Sequence, residues 1–295
     1  MAIFFFRTSS VGRSTGRTAI GAAAYRAGER LRDERSGKLY NYSSRQDVLH
    51  QEITLPSQYS ADTVGWARDR ATLWNAAEHA ESRRDSRVAR EFLLNLPYEL
   101  NDEQRLHLTR ALAREIADRY GVAVDAAVHA PRPQGDPRNF HAHLLATTRE
   151  VTAAGFGHKV GLDMNGSRRH ERGLPSGADE LRAIRASAAL LINQELQAAN
   201  VASRVDHRTL AAQGVAREPK VRLPWGAYRA EARGLHSEIA ERVRAKYRAR
   251  VQVRTPPSLE EIRRQAREEW LQMRTADKTV QTQANEKCAD RDLAL

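Results

Sequence analysis

The residues best suited to chemistry lie between positions 122 and 148, VAVDAAVHAPRPQGDPRNFHAHLLATT. Val122, Val124 and Val128 alternate with Ala123, Asp125, Ala127 and His129, so a strand here turns one face apolar and points His129 to the other. After a loop of Pro, Gly, Asn and Asp from 131 to 139, a return strand sets Phe140, Ala142 and Leu144 on one face and His141 and His143 on the opposite one. Two-residue spacing on a strand aims both imidazoles the same way, and an antiparallel partner brings His129 alongside them. A lone strand histidine is usually structural. Three on one hairpin, all off its apolar face, can form a metal site that leaves coordination positions open for a substrate.

Tyr25 and Glu91 are the next candidates. Tyr25 stands at the edge of the apolar stripe of a helix, and its neighbours one turn away are Gly21, Ala22, Gly28 and Glu29. Three of these four are small, so a bulky substrate strand could reach the phenol, although a helical tyrosine is most often a core-edge residue. In VAREFLLNLP, Phe92, Leu94 and Leu96 face a core, which turns Glu91 to the opposite side; an exposed edge glutamate would read the same way. The loop TSSVGRSTGRT carries Arg13 and Arg17 ahead of a helix start, where free amides favour a phosphate; an ordinary loop has the same composition.

The elements that would position these groups can be read in order. Residues 2–7 form a short aromatic strand, and 17–33 an amphipathic helix burying Ile20, Ala23, Ala24, Ala27 and Leu31. Strands are expected at 37–42 and 48–56, a helix at 61–80, and the Glu91 strand after it. Asn101 with Gln104 makes a capping box for a helix that Gly121 stops. TAAGFGHKVG is expected to add an edge strand that places His158 and Lys159 near the same sheet, and Ser176 caps a helix to about residue 200. Strands and helices mix without a βαβ rhythm, so the fold class is α+β, an antiparallel sheet packed with helices. Charged helix follows from about Tyr228, and Pro256 and Pro257 divide it.

Composition restricts the partners. The 295 residues carry 48 Lys and Arg against 37 Asp and Glu, a formal net charge of +11. Residues 201–295 hold 20 basic and 13 acidic residues, so most of the excess sits in the last third, which suggests a polyanionic partner. One cysteine, Cys288, excludes an internal disulfide and a cysteine zinc site. The apolar run near the start is too short for a signal peptide or a span, so a soluble, cytoplasmic protein with no membrane insertion is expected. G-x-x-x-x-G-K-[ST] occurs nowhere, so the sequence has no P-loop motor.

With the tyrosine, the glutamate and the histidines placed, the sequence resembles the MobA/MobL conjugative relaxases, a branch of the HUH endonucleases. The stretches that carry the resemblance are AAAYRAGERLRDERSGKLYNY, VLHQEITLP, WARDRATLWNAAE, AREFLLNLPYEL, NFHAHLLATTRE with the upstream His129, and RVDHRTLAAQG. They run in order through residues 1–220. A histidine-glycine motif often kept by relatives beyond V-D-H-R is replaced here by KVRLPWGAYR, and where longer relatives continue into a helicase domain only basic helices are expected in this sequence.

The resemblance implies a central five-stranded antiparallel sheet in a relaxase domain at 1–220; charge and polar composition add a basic helical segment at 221–275 and a disordered tail at 276–295. It implies that Tyr25 attacks one phosphodiester of single-stranded DNA at a plasmid origin of transfer, leaving a 5′-phosphotyrosine. It also implies that His129, His141 and His143 hold Mg²⁺ or Mn²⁺, although three imidazoles suit Mn²⁺ or Zn²⁺ better than Mg²⁺. Glu91 would deprotonate the phenol, orient it, or orient a ligating histidine. Arg13, Arg17 and Lys159 would contact DNA phosphates, and Tyr40 and Tyr42 are weak candidates for a second nucleophile. Expected partners are single-stranded and hairpin DNA and a type IV secretion coupling protein. The protein would act as a monomer on DNA in the bacterial cytoplasm and pass with the strand to the recipient. A rolling-circle replication initiator, a three-histidine zinc hydrolase and a non-enzymatic DNA-binding protein are the rival readings.

Overall fold

Antiparallel pairing of five strands builds the frame on which the histidines stand. The computed structural model describes residues 3–60, 62–133, 135–219 and 221–254, with 259–260, 263–264 and 267–268 beyond them. The expected tail at 276–295 and the Pro256-Pro257 break lie outside the described residues. The chain divides into two compact units, one ending at His207 and the other beginning at Arg208.

In the first unit the elements are β1 (Phe6–Gly12), α1 (Ala19–Ala27), β2 (Arg30–Arg32), β3 (Leu39–Asn41), β4 (Val48–Thr54), α2 (Arg70–His79), β5 (Arg87–Asn95) and α3 (Asp102–Tyr120). They continue through β6 (Val124–His129), β7 (His141–Thr147), β8 (Arg149–Thr152), β9 (Gly155–Lys159), α4 (Gly166–Glu171) and α5 (Gly177–Ala198). The second unit contains α6 (Trp225–Ala232) and α7 (Glu238–Arg254). Among the described residues no helix is long and apolar enough to cross a membrane.

The main sheet has the order β1-β5-β7-β6-β4, antiparallel throughout, as the α+β reading expects. Alternation splits its side chains between two cores. Phe92 and Leu94 of β5, Val124, Ala126 and Val128 of β6, and Ala142 and Leu144 of β7 pack on α3 and α5 through Leu108, Leu112, Ile116, Ile184 and Ile192. On the opposite face Ala89, Ala123 and Leu145 pack on α1 and α2 through Ile20, Ala23, Ala24, Leu73 and Trp74. That second face also carries Glu91 and the three histidines, at the end of the strands beyond this core. Helix α3 forms as its signals require: Asn101 and Gln104 bond reciprocally, and Gly121 closes it at φ 64°.

Four elements differ from expectation. The strand expected at 2–7 is β1 at Phe6–Gly12, because residues 8–12 of the expected loop pair with β5 as far as Arg87. The helix over 17–33 stops at Ala27 because Gly28 turns left-handed at φ 67°. Leu31 is still buried, but from β2, since a strand residue met the same core. The helix over 61–80 arrives as a 3-10 turn, Gly65–Arg68, and then α2, because the Asp69 carboxylate accepts the Thr72 amide and starts a new helix there. TAAGFGHKVG does not join the main sheet: β9 pairs with β8, the strand a tight turn before it, in a separate ribbon, from which Lys159 still reaches the Arg87 carbonyl of β5 at 3.5 Å.

A buried ionic cluster ties α2 to the sheet. Arg70 Nε and Nη2 donate to the two oxygens of Asp125 at 2.8 and 2.9 Å, Trp74 Nε1 donates to Asp125 Oδ2 at 2.9 Å, and Arg70 also reaches Glu29 and Gln51. Asp125 is thereby explained as a structural anion on the histidine-bearing face. Removing one partner of such a pair leaves a buried charge alone, so Arg70→Ala is expected to cost about 3–5 kcal/mol in urea unfolding. The double variant Arg70→Met, Asp125→Leu should cost clearly less than the single; equal losses would show that the charge pair is not what matters.

Candidate active site

The β6–β7 register places His129 directly opposite His141 and Ala127 opposite His143, so two strands deliver three imidazoles to one face. Ring centroids lie 4.8 to 5.3 Å apart, and one nitrogen from each ring falls within 4.8 Å of the others. Among the described residues this is the one group of His, Cys, Asp and Glu side chains placed to share a cation. Acceptors that cannot donate fix the protons. His141 Nδ1 donates to the Asn139 carbonyl at 2.9 Å, His129 Nε2 to the Arg26 carbonyl at 2.7 Å, and His143 Nδ1 to Glu91 at 2.7 Å. The unprotonated nitrogens are His129 Nδ1, which Arg45 Nη2 approaches at 3.4 Å, His141 Nε2 and His143 Nε2. Burial pushes His129 down to about 3 and lowers His141 as well, so both stay neutral at pH 7, the form that binds metal. Three imidazoles with their second nitrogens already bonded fit a divalent first-row cation.

Glu91 lies on β5, an interior strand, and is buried. Its carboxylate accepts from Arg26 Nε at 2.7 Å, from His143, and from Ser9 Oγ at 3.2 Å, with Arg26 Nη2 also 2.6 Å away. Burial alone would raise this carboxyl, but the hydrogen bonds and charges of His143 and Arg26 outweigh it and hold Glu91 at about 2. A carboxylate so stabilised is a weak proton acceptor and a firm anchor. It can therefore fix the tautomer and ring orientation of His143.

Tyr25 sits on α1 next to Arg26 and is 37% exposed. Its ring meets Tyr42 edge-on at 5.2 Å, and the Arg45 guanidinium lies 4.1 Å from its centroid. A cavity of about 320 Å³ opens beside it, lined by Arg17, Lys38, Tyr40 and Tyr42 among others. Of the small residues around Tyr25, Gly21 and Ala22 line this cavity as expected, and Gly21 also seats Tyr40, since a Cβ there would fall 2.9 Å from the Tyr40 ring. The Tyr40 hydroxyl is bonded to Thr18 at 3.2 Å.

The expected DNA contacts fare unequally. Arg17 is exposed at the cavity. Arg13 is not available: its side chain is buried and spends its donors on Glu78 and on the carbonyls of Glu78, Glu81 and Arg83. The α1 start is likewise taken, because Glu78 Oε1 accepts the Ala19 amide at 2.6 Å and supplies the anion that a phosphate would have been. Lys159 stands on the β8–β9 ribbon and pairs with Glu81 at 3.0 Å.

Arg26 and Arg45 were not legible as site residues. In a chain so rich in arginine, nothing local separates a buried guanidinium from a solvated one. The hint for Arg26 was its position beside Tyr25.

A family model described as the MobA/MobL family matches residues 17–233. The chain is 36% identical over 240 residues to a mobilization protein MobL of Acidithiobacillus ferridurans, covering 74% of this chain and 61% of that protein. It is 31% identical over 294 residues to a probable conjugal transfer protein TraA of Sinorhizobium fredii, covering 90% of this chain and 26% of that one. The chain thus spans less than two thirds of either relative. A solved structure described as the molecular basis of vancomycin resistance transfer in Staphylococcus aureus aligns with a TM-score of 0.55 at 25% identity, over 70% of this chain and 100% of that one.

The protonation pattern yields two expected outcomes. His129 titrates near 6.5 when unfolded and near 3 when folded, so the unfolded chain binds the extra proton in between. Metal-free stability should fall as pH drops through that window, by up to about 1.4 kcal/mol per pH unit from this group. Glu91 adds to the fall between about 4.5 and 2. Urea midpoints of His129→Gln should decline less steeply from pH 6.5 to 4; an unchanged slope would locate the acid sensitivity elsewhere. Separately, Glu91→Gln should weaken Mn²⁺ binding about 10- to 100-fold by calorimetry, since it loosens His143. Equal affinity would remove Glu91 from the metal's support.

Proposed function

The chain belongs to the MobA/MobL family, and on that footing we propose that it is a relaxase that nicks and rejoins one DNA strand at a plasmid origin of transfer through Tyr25. The observation that carries this reading is the double role of Arg26. This neighbour of Tyr25 binds Glu91 with its guanidinium and His129 with its carbonyl, so the phenol-bearing helix is bonded directly to the three-histidine cluster. A small-molecule hydrolase would need the histidines but not that link.

In the proposed reaction the Tyr25 phenol loses its proton and its oxygen attacks the scissile phosphorus. The new bond is a 5′-phosphotyrosine; the bond to the 3′ oxygen breaks, and that oxygen takes up a proton. One phosphodiester replaces another, so the free 3′-hydroxyl can reverse the step and rejoin the strand. A divalent cation, Mn²⁺ or Mg²⁺, held by His129, His141 and His143 would neutralise charge on the phosphate as the fifth bond forms. Glu91 orients His143 and leaves the phenol proton to another acceptor, since Oε1 is committed to Arg26 and His143, Oε2 accepts from Ser9, and the carboxyl is held at about 2, too weak a base. Arg17 at the cavity beside Tyr25 contacts a backbone phosphate of the single strand.

The basic second unit, with α6 and α7, adds grip on flanking or hairpin DNA, and its phosphate contacts make binding salt-dependent. The names of the relatives point to conjugal transfer, so the DNA-bound form would be handed to a type IV secretion coupling protein in the cytoplasm and travel with the strand as a monomer.

Incubation with 3′-end-labelled single-stranded origin DNA tests the reading. Wild type should leave a labelled band at the protein's position on a denaturing gel, EDTA should suppress it, and Tyr25→Phe should abolish it while binding the oligonucleotide within about threefold of wild type. An adduct on Tyr25→Phe would sink the nucleophile assignment, and full activity in EDTA would sink the metal.

A further inference from the structure

The segment between β3 and β4 makes a bracket around Tyr25 that the reaction above does not use. Arg45 is its centre. The guanidinium carbon lies 4.1 Å from the Tyr25 ring centroid, within cation-π range, and Nη1 donates to the Tyr25 carbonyl. Nη2 lies 3.4 Å from His129 Nδ1, the unprotonated nitrogen of that ring, within reach to donate to it. The same guanidinium is forked onto Asp47, with Nε donating to Oδ1 at 2.8 Å and Nη2 to Oδ2. Asp47 is in turn pinned to the histidine hairpin, because its carbonyl accepts the Ala130 amide at 2.8 Å.

The backbone shapes this bracket to fit. The Arg45 amide donates to the Tyr42 carbonyl at 3.0 Å, which closes a turn and brings the Tyr42 ring edge-on to Tyr25. Gly28, left-handed at the end of α1, allows a close approach: a Cβ there would meet Val48 at 3.1 Å and Arg45 at 3.7 Å.

We propose that Arg45, held by Asp47, is a positioning residue that fixes the Tyr25 ring relative to the three-histidine cluster for in-line attack; this rests on Tyr25 being the nucleophile. An exposed tyrosine at a helix edge can turn about two side-chain torsions, and a displacement of an ångström at the nucleophile slows a displacement reaction severely. Arg45 limits both torsions by covering one ring face while anchoring the backbone of the same residue. Only a planar guanidinium can stack on a ring, fork onto a carboxylate and donate to a carbonyl at once; an ammonium supplies the charge without the geometry.

The test uses the full chain and labelled single-stranded origin DNA. Adduct formation is followed in single turnover at saturating DNA for wild type, Arg45→Ala, Arg45→Lys, Asp47→Asn and Tyr25→Phe. DNA affinity is measured with each Arg45 and Asp47 substitution placed in the Tyr25→Phe background, where no cleavage intervenes. Arg45→Ala should slow adduct formation about 100-fold while affinity stays within about threefold, Arg45→Lys should recover less than about tenfold of that loss, and Asp47→Asn should fall between. Guanidinium ion added at low concentration should restore part of the Arg45→Ala rate, which a general loss of fold would not allow. A wild-type rate in both Arg45 variants overturns the proposal, and so does an affinity loss as large as the rate loss, which would make Arg45 a DNA contact. An adduct on Tyr25→Phe would instead remove the nucleophile reading, and this proposal with it.

Discussion

The buried pairing of Arg26 with Glu91 is the interaction on which the rest of the site depends. A carboxylate taken out of water on the middle of a sheet is costly unless a cation and hydrogen-bond donors accompany it. Arg26 supplies the cation from α1, and His143 and Ser9 supply the further donors. The pairing fixes three things together. It sets the His143 tautomer, it holds α1 against the sheet, and through the Arg26 carbonyl it orients His129. Tyr25 is the next residue along the same helix, so its distance from the histidines is governed by the bond that keeps Glu91 charged.

The architecture around that pair explains why the site can be both rigid and reachable. One face of the sheet is wholly given to the α3 and α5 core. The other is shared, with α1 and α2 covering part and the histidines standing at the strand ends beyond them. Within the covered part, charges are neutralised internally: Asp125 by Arg70, Arg13 by Glu78, and the α1 start by Glu78 again. Internal anions thus occupy the places where a phosphate might have been sought, and Arg17 and Tyr25 are left facing an open cavity, the side the proposed reaction uses.

How far this could be read from the sequence differs by residue. His129, His141 and His143 were legible because alternation on a strand is a two-residue rule and the intervening loop forces an antiparallel return. The α3 boundaries were legible because Asn101, Gln104 and Gly121 act on backbone groups within four positions of themselves. The end of α1 was missed because Leu31 continues the apolar stripe by coincidence, while Gly28 breaks the helix before it. Arg13 was misread because its partner Glu78 is distant in sequence, and the ribbon because Arg149–Thr152 just before it offered a local hairpin partner in place of the sheet edge.

The sequence alone determined which side chains share a face: the histidines opposite the valines, Glu91 opposite Phe92, and the capped span of α3. These follow from local periodicity and from hydrogen bonds between near neighbours. Only the tertiary structure decided which of the 48 basic residues are buried and what each one holds. Arg26, Arg45 and Arg70 are set apart from the solvated arginines by carboxylates, carbonyls and rings on other elements. Charge pairing acts through space, and its partners come into being when the sheet and helices close around them.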